Sequence, residues 1–215
     1  MKCRSRFLSL TLGLALGMSG GKASAQSCAE TDLRDFLESG GYELGVAQVA
    51  LAGQLFLRRA AKAYPGDSLA LVLDLDDTAL TNTAILDEDA FCFNDARMIA
   101  YWRGEGPPPL VPIRDLFDLA RSLNIAVFFI SGRRTAMRDV AEQNLADAGY
   151  EGYEALVLRP IIFFGSTEEF KSDARRDIVA RGYRIVLNVG DQLSDIAGGV
   201  TDQALLLPNP FYFVP

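Results

Sequence analysis

Apolar runs alternate with amphipathic segments along most of this chain. Five apolar runs predict buried strands, at residues 68–73, 125–130, 155–158, 184–189 and 204–207. Segments with helical spacing of apolar positions lie between them, at residues 113–123, 135–148 and 168–181. Runs this rich in Val, Ile, Leu and Phe are typical of parallel strands buried on both faces. The alternation predicts an α/β fold with a Rossmann-like, doubly wound parallel sheet.

Three stretches depart from this alternation. Residues 31–63 predict an N-terminal helical region in two pieces, which Gly40-Gly41 separates, and the second piece carries Leu44, Ala47, Leu51, Leu55 and Ala61 at helical spacing. Residues 79–112 lack clear periodicity and carry several aromatic side chains. We expect this stretch to be a small insertion over the crevice at the strand ends. Residues 161–164 are apolar and allow an additional short strand.

The first 25 residues have the composition of a signal peptide. They combine a basic start, an apolar stretch at residues 7–18 and the small residues Ala23-Ser24-Ala25. The apolar stretch is too short to span a bilayer, so we predict cleavage after Ala25 rather than a stable membrane anchor. The mature protein, residues 26–215, is then a single exported domain, either periplasmic or secreted. Export also permits a disulfide between Cys28 and Cys92, and two free thiols are the alternative.

Charge and composition exclude several classes of function. The net charge is −7, and loss of the first 25 residues removes four basic residues and no acidic ones. So acidic a protein is not expected to hold a nucleic-acid polymer through phosphate contacts. The chain has no histidine, which excludes histidine nucleophiles and imidazole metal ligands. A metal site must therefore use oxygen ligands, and these favour Mg²⁺.

Polar residues follow three of the predicted strands. They are Asp74-Leu75-Asp76-Asp77-Thr78, Ser131-Gly132-Arg133 and Gly190-Asp191 with Asp195 four residues later. Ligands of open α/β sheets bind beyond the carboxyl ends of the strands, so these side chains should share one crevice. A carboxylate that attacks a phosphate monoester needs a divalent cation to offset the repulsion between the two anions. Asp74 could then form an aspartyl-phosphate, and Asp76 could transfer protons to and from oxygen.

Each motif also has an ordinary structural explanation. An isolated Asp-x-Asp is usually a solvated turn, Ser131 could cap the following helix, and a lysine such as Lys171 usually lies on an exposed helix face. The occurrence of the aspartate and serine motifs together, after three strands of one chain, favours phosphoryl transfer.

The motifs, together with Lys171 and Arg175, resemble in content and order the four motifs of the haloacid dehalogenase (HAD) superfamily. Within it the chain resembles the acid phosphatases with paired aspartates, of subfamily IIIB. That group includes bacterial class B and class C enzymes, plant acid phosphatases and vegetative storage proteins. The resemblance covers essentially the whole mature chain and implies a HAD-like fold.

The resemblance also implies a role for individual residues. Asp74 would be the nucleophile and Asp76 the general acid and base, while Ser131 would contact phosphate and Lys171 would steady the phospho-aspartate. Mg²⁺ would be held by Asp74 and Asp191, by the backbone carbonyl of Asp76 and by Asp195. We assign contacts with the substrate to Thr78, Gly132, Arg133 and Trp102.

The function predicted from these observations is that of an exported Mg²⁺-dependent acid phosphatase acting on small phosphomonoesters. The aromatic residues of 79–112, Trp102 among them, could stack on the base of a nucleoside monophosphate or could simply pack the insertion. A homo-oligomer is compatible with the sequence. The alternatives are a phosphotransferase using the same intermediate, a phospho-accepting signalling module, and a catalytically silent metal- or phosphate-binding protein of the storage type.

Overall fold

In the computed structural model, which describes residues 21–214 and the side chains of residues 30–214, five parallel strands form one sheet in the order β3-β2-β1-β4-β5. The strands are β1 (Leu69–Leu73), β2 (Ala126–Arg134), β3 (Ala155–Arg159), β4 (Arg184–Gly190) and β5 (Gln203–Leu206). From β1 the chain builds one side of the sheet through β2 and β3, and it then returns to the other side through β4 and β5. The predicted doubly wound α/β architecture is therefore confirmed.

Helices cover both faces of this sheet. They are α1 (Gly21–Glu38), α2 (Gly41–Ala63), α3 (Thr83–Glu88), α4 (Asp95–Arg103), α5 (Val111–Ser122), α6 (Arg138–Asp147), α7 (Thr167–Ala180) and α8 (Leu193–Ile196). A 3₁₀ turn at Thr135–Met137 precedes α6. Residues 161–164 form an irregular loop and not the additional strand that the sequence allowed, and Ile161, Ile162 and Phe164 are exposed in it.

The strand side chains alternate between two apolar layers. In β1, Leu71 and Leu73 belong to the larger layer, which α2 and α5 cover, whereas Val72 faces the smaller layer beneath α7. A strand that is buried on both faces has no polar side to reveal its alternation, which is why these strands appear in the sequence as continuous apolar runs.

Helix α2 is apolar on two faces, and the sequence pattern alone does not tell which of them is buried. Leu44, Ala47, Leu51 and Leu55 stand at helical spacing, but the structure places them on the exposed side. The buried side consists of Tyr42, Val46, Ala50, Gly53, Leu57 and Ala60. A Cβ at Gly53 would lie 3.2 Å from carbon atoms of Leu116 and Leu187, so the absence of a side chain there allows α2 to approach the sheet closely.

Asp77 joins the loop after β1 to the last described residues. Its backbone has φ of 55°, and its side chain is fully buried. The carboxylate accepts hydrogen bonds from the backbone N–H of Asn82 at 2.7 Å, from Asn82 Nδ2 at 3.2 Å and from the Tyr212 hydroxyl at 2.6 Å. Burial, together with the nearby charge of Asp191, raises the pKa of Asp77 to about 7 despite these hydrogen bonds.

Several predictions concern the N-terminal end of the chain. Residues 1–20, most of the predicted signal peptide, lie outside the described residues, and the predicted cleavage site after Ala25 falls within α1. The Cys28 side chain is also outside them, so its pairing with Cys92 stays a prediction. Within residues 21–214, none of the helices combines the length and the apolar character needed to cross a bilayer.

We predict that Asp77 makes stability depend on pH. Because its pKa is raised in the folded protein, its contribution to stability is present below about pH 4 and is lost as the pH rises through about 7. Asp77→Asn keeps an acceptor oxygen and tolerates the positive φ, but it cannot ionise. Ionisation of Asp77 should therefore lower the free energy of unfolding of the wild type by up to about 1.4 kcal/mol per pH unit in this range. This decline should be absent in the variant.

The measurement is urea unfolding at several pH values between about 4 and 8, in EDTA so that metal binding does not contribute. Asp139→Asn, which removes a carboxylate on the exposed side of α6, is the matched control and should follow the wild type. Parallel curves for wild type and Asp77→Asn would show that Asp77 does not titrate in this range.

Candidate active site

The candidate site lies where β1 is flanked by β2 and β4, at the point where the chain changes from one side of the sheet to the other. Asp74 directly follows β1, and its backbone N–H donates to the carbonyl of Val189 at 3.0 Å. Asp191 directly follows β4, while Ser131 lies in β2 just before the register shift near its end. The carboxyl ends of the three strands therefore bring these side chains to one crevice, as the sequence predicted.

Three carboxylates form the floor of this crevice. Asp74, Asp191 and Asp195 are all buried, and each contributes an oxygen atom that lies within 4.8 Å of the other two. Burial and the two neighbouring carboxylates raise the pKa of Asp74 well above its usual range. Burial and Asp195 likewise raise the pKa of Asp191 to about 6. The cluster thus holds negative charge that the surrounding side chains only partly compensate.

Lys171 of α7 supplies the positive charge closest to this cluster. Its Nζ donates to Asp74 Oδ1 at 2.5 Å and also to Asp195 Oδ1. Burial by itself would lower the pKa of Lys171, but Asp195 and Asp74 hold it above the usual value, so the side chain remains an ammonium ion. Unlike most lysines on a helix, Lys171 is therefore buried and paired with two carboxylates.

Neutral donors fix the orientation of Asp191. Thr78 Oγ1 donates to Asp191 Oδ1 at 3.1 Å, while Gln192 Nε2 and Asn209 Nδ2 donate to Oδ2 at 2.5 and 2.7 Å. Thr78, assigned from the sequence as a substrate contact, is fully buried and faces Asp191. This position indicates that Thr78 helps to orient Asp191 in the acidic cluster.

Gly190 allows Asp195 to reach the cluster. A Cβ at this position would lie 2.2 Å from Asp195 Cβ, which no side chain could tolerate. Asp195 Oδ2 also accepts a hydrogen bond from the backbone N–H of Gln192 at 2.8 Å, which holds the turn after β4. The lack of a side chain at Gly190 therefore allows Asp195 to pack against the backbone before Asp191.

Asp76 is not one of the three clustered carboxylates, and it pairs with Arg133. Arg133 Nε donates to Asp76 Oδ2 at 2.9 Å and Nη2 donates to Oδ1 at 2.7 Å, while Asn82 Nδ2 donates to Oδ1 at 3.2 Å. The Arg133 side chain is completely buried, whereas 20% of the Asp76 side chain is exposed. This bidentate contact fixes the direction of the Asp76 carboxylate at the edge of the crevice.

Trp102 and Asn144 hold the Arg133 guanidinium in place. The guanidinium carbon lies 4.0 Å from the centre of the Trp102 ring, and Nη1 donates to Asn144 Oδ1 at 2.8 Å. The Trp102 indole in turn donates to Asn82 Oδ1 at 3.0 Å. One face of Trp102 is therefore covered by Arg133, and both residues lie beside Asp76 in the wall of the crevice.

The crevice opens into a cleft of about 470 Å³. Asp74, Asp76, Ser131, Gly132 and Lys171 line its inner end, and α4 and the segment before it contribute Phe93, Met98, Ile99 and Trp102 to one wall. Ser131 Oγ accepts a hydrogen bond from the backbone N–H of Arg133 at 3.1 Å and does not cap the following helix, which begins further along the chain. Its hydroxyl hydrogen remains available to a ligand.

Several polar residues of the site were given no role from the sequence. Asn82, Asn144, Gln192, Asn209 and Tyr212 all donate to side chains or backbone of the site region, although Gln192 lies within the motif that contains Asp191 and Asp195. Asparagine, glutamine and tyrosine are common in loops, so only the fold reveals which of them are buried against carboxylates.

The donor set fits a small, hard divalent cation. Asp74, Asp191 and Asp195 offer carboxylate oxygens that converge without a nitrogen or sulfur ligand among the described residues, and Lys171 is the buried cation in contact with them. Mg²⁺ prefers oxygen ligands of this kind, and a cation there would relieve the repulsion that raises the pKa values of Asp74 and Asp191.

Comparisons with known proteins agree with this geometry. Acid phosphatase 1 of Solanum lycopersicum is 27% identical over 202 residues, which cover 92% of this chain and 78% of that protein. Vegetative storage protein 1 of Arabidopsis thaliana is 31% identical over 148 residues, and these cover 67% of this chain but only 55% of that protein. The class C acid phosphatase of Bacillus anthracis has the same fold, with a TM-score of 0.70 at 23% identity over 88% of this chain and 85% of that one.

A family model covers almost the entire chain. The model that describes HAD superfamily, subfamily IIIB (acid phosphatase) matches residues 14–215, a range that contains every residue of the acidic cluster and of the cleft. The chain therefore belongs to the acid phosphatases of subfamily IIIB of the HAD superfamily, a family of phosphoric monoester hydrolases.

Proposed function

We propose that this protein is an exported, Mg²⁺-dependent acid phosphatase that hydrolyses small phosphomonoesters through an aspartyl-phosphate intermediate. The observation that carries the proposal is the position of Asp74 at the floor of the cleft. Its carboxylate is bound by Lys171 and lies within reach of Asp191 and Asp195, and Asp76 stands at the edge of the same cleft. A nucleophile, an acid–base group and a cation site therefore share one crevice.

In the first step, a carboxylate oxygen of Asp74 forms a bond to phosphorus as the bond between phosphorus and the ester oxygen breaks. The leaving alkoxide takes a proton from Asp76 in its acid form and departs as an alcohol. Ser131 donates its hydroxyl hydrogen to a phosphoryl oxygen, and the Lys171 ammonium offsets the charge of the phosphorylated Asp74.

In the second step, water attacks the phosphorus of the aspartyl-phosphate. Asp76, now a carboxylate, removes a proton from this water, the acyl–phosphate bond breaks, and Asp74 is regenerated with release of inorganic phosphate. The Arg133 contact fits this role because it holds the Asp76 carboxylate in one direction. Asp76 therefore ends the cycle protonated, as it began, but with a proton taken from water.

The metal would be held by the carboxylates of Asp74 and Asp191 and the backbone carbonyl of Asp76, with Asp195 in support. When bound, Mg²⁺ would reduce the repulsion between the phosphate and the acidic cluster and stabilise negative charge on the phosphoryl oxygens. The chemistry of the donor set supports Mg²⁺ over metals that prefer nitrogen or sulfur ligands.

The shape of the cleft supports a substrate with a flat apolar leaving group, such as a nucleoside monophosphate. Phe93 and Ile99 lie in the wall next to Trp102, so an aryl group or a base can extend along this wall from a phosphate at Asp74. Because Arg133 covers one face of the Trp102 ring, Trp102 is more suited to forming an edge of this slot than to enclosing the base.

The remaining parts of the proposal rest on the sequence. The basic and apolar start of the chain and Ala23-Ser24-Ala25 support export to the periplasm or the medium. Self-association as a homo-oligomer stays a prediction.

We expect Asp74→Asn to reduce phosphate release from p-nitrophenyl phosphate to below about one thousandth of the wild-type rate, because the amide cannot attack phosphorus. The wild type should be active with Mg²⁺ and lose this activity in EDTA. Asp115→Asn, which removes an exposed carboxylate on α5, is the matched control and should keep the wild-type rate. Activity of Asp74→Asn would overturn the assigned nucleophile, and an inactive wild type that still binds Mg²⁺ would favour a storage-type protein.

We expect Arg133→Gln to reduce kcat by about ten- to a hundredfold for an alkyl phosphate, because Asp76 loses the contact that orients it. The reduction should be smaller for p-nitrophenyl phosphate, whose leaving group needs little protonation. Asp76→Asn should show the same dependence on the leaving group. Equal losses for the two substrates would limit Arg133 to a structural role.

We expect Phe93→Leu to raise KM for a nucleoside monophosphate by roughly five- to tenfold, since stacking of a base on an aromatic ring contributes about 1–3 kcal/mol. KM for a small alkyl phosphate should stay near the wild-type value, because such a substrate does not reach this wall. Steady-state kinetics with both substrates provide the test. A similar rise in both KM values would argue against a base-binding role of Phe93.

A further inference from the structure

Two arginines lie side by side in the cleft, on the side of Ser131 away from Asp76. Arg134 at the end of β2 and Arg159 at the end of β3 are paired across the two strands, and both line the cleft. Adjacent strands are about 4.8 Å apart, so both side chains leave the sheet edge from neighbouring positions. Arg134 belongs to the same strand end as Ser131 and Gly132, which also line the cleft.

Neither of these arginines has a carboxylate partner among the described residues. Arg134 Nη1 donates to the carbonyl of Pro160 at 3.1 Å. Arg159 donates to the carbonyl of Gly165 at 2.9 Å and to Thr167 Oγ1 at 3.3 Å, and its Nε is buried without a hydrogen-bond partner. Neutral oxygens thus position the two guanidinium groups but leave their charge uncompensated.

The charge at this end of the cleft is therefore positive in an acidic protein. Burial and the proximity of Arg134 together lower the pKa of Arg159, as expected for two cations without an intervening anion. The acidic groups around the cleft either bind other groups of the protein or lie in the opposite wall. Asp76 is paired with Arg133, and Asp95 belongs to α4 in the opposite wall. Glu169 accepts from the backbone N–H of Ser166.

We propose that Arg134 and Arg159 bind a second phosphate group of the substrate, while the first phosphate lies at Asp74. The inference rests on the proposed phosphatase activity and adds that small phosphomonoesters with a second phosphate group are preferred over those without one. Two guanidinium groups present planar pairs of N–H donors that match phosphate oxygens. Since the protein carries a net charge of −7, a doubly phosphorylated molecule would otherwise be repelled more strongly than a singly phosphorylated one.

The test compares linear alkanediol bisphosphates, from propanediol to hexanediol, with the monophosphates of the same diols. The bisphosphate has two equivalent ends, and its kcat/KM is therefore halved before comparison. At the chain length that spans both sites, we expect the bisphosphate to exceed the monophosphate by about tenfold or more, which corresponds to about 1.4 kcal/mol. Raised salt should reduce this ratio. A ratio near one at every chain length would overturn the proposal.

Variants of Arg134 make the test specific. Among the described residues, its side chain makes a single hydrogen bond, to the backbone carbonyl of Pro160, so its loss should leave the fold intact. Arg134→Gln should bring the ratio close to one, and Arg134→Lys should restore part of it. Arg176→Gln, which removes an exposed arginine that pairs with Asp173, is the matched control and should keep the wild-type ratio. An unchanged ratio in Arg134→Gln would contradict the proposal.

A binding measurement separates this inference from the proposed function. Calorimetry on Asp74→Asn gives the affinities of the same bisphosphate and monophosphate without turnover. Tighter binding of the bisphosphate that depends on Arg134 would support the second phosphate site even if neither ester were hydrolysed by the wild type. Hydrolysis of both esters with equal affinities would retain the phosphatase and reject the second site.

Discussion

The burial of like charge at the end of β1 is the constraint on which the rest of this structure depends. Asp74, Asp191 and Asp195 approach one another out of water, where each carboxylate costs several kcal/mol unless it is paired. The buried ammonium of Lys171 compensates part of this cost, and Thr78 and the turn after β4 supply hydrogen bonds. A site organised in this way is suited to a divalent cation, which in the proposed mechanism would in turn help to bind the phosphate.

The two acidic residues of the first motif differ because of what surrounds them. Asp74 is buried among carboxylates and contacts Lys171, whereas Asp76 is partly exposed and held in a bidentate contact by Arg133. The first environment suits a group that attacks phosphorus, and the second suits a group that exchanges protons with the leaving group and water. In the proposed mechanism, two carboxylates of the same turn therefore have different chemical roles.

Much of this arrangement could be predicted from the sequence, because apolar strands and the polar residues after them are local patterns. The sheet and the convergence of Asp74, Ser131 and Asp191 follow from those patterns alone. The buried face of α2 could not be predicted in this way, because Leu44 and Leu51 continue the helical spacing on its exposed side. The partners of the acidic residues could not be predicted either, because they lie far away in the sequence and become neighbours only after folding.

The contacts of the last described residues also set an order in time. Tyr212 donates to Asp77 across 135 residues of chain, and Asn209 donates to Asp191 across 18 residues. At about 5–20 residues per second, a ribosome needs roughly 7–27 s to travel from the first of these positions to its partner. During this interval the nascent chain contains Asp77 without the tyrosine that donates to it. Assembly of the crevice is consequently a late event in the life of each molecule, after most of the sheet has been synthesised.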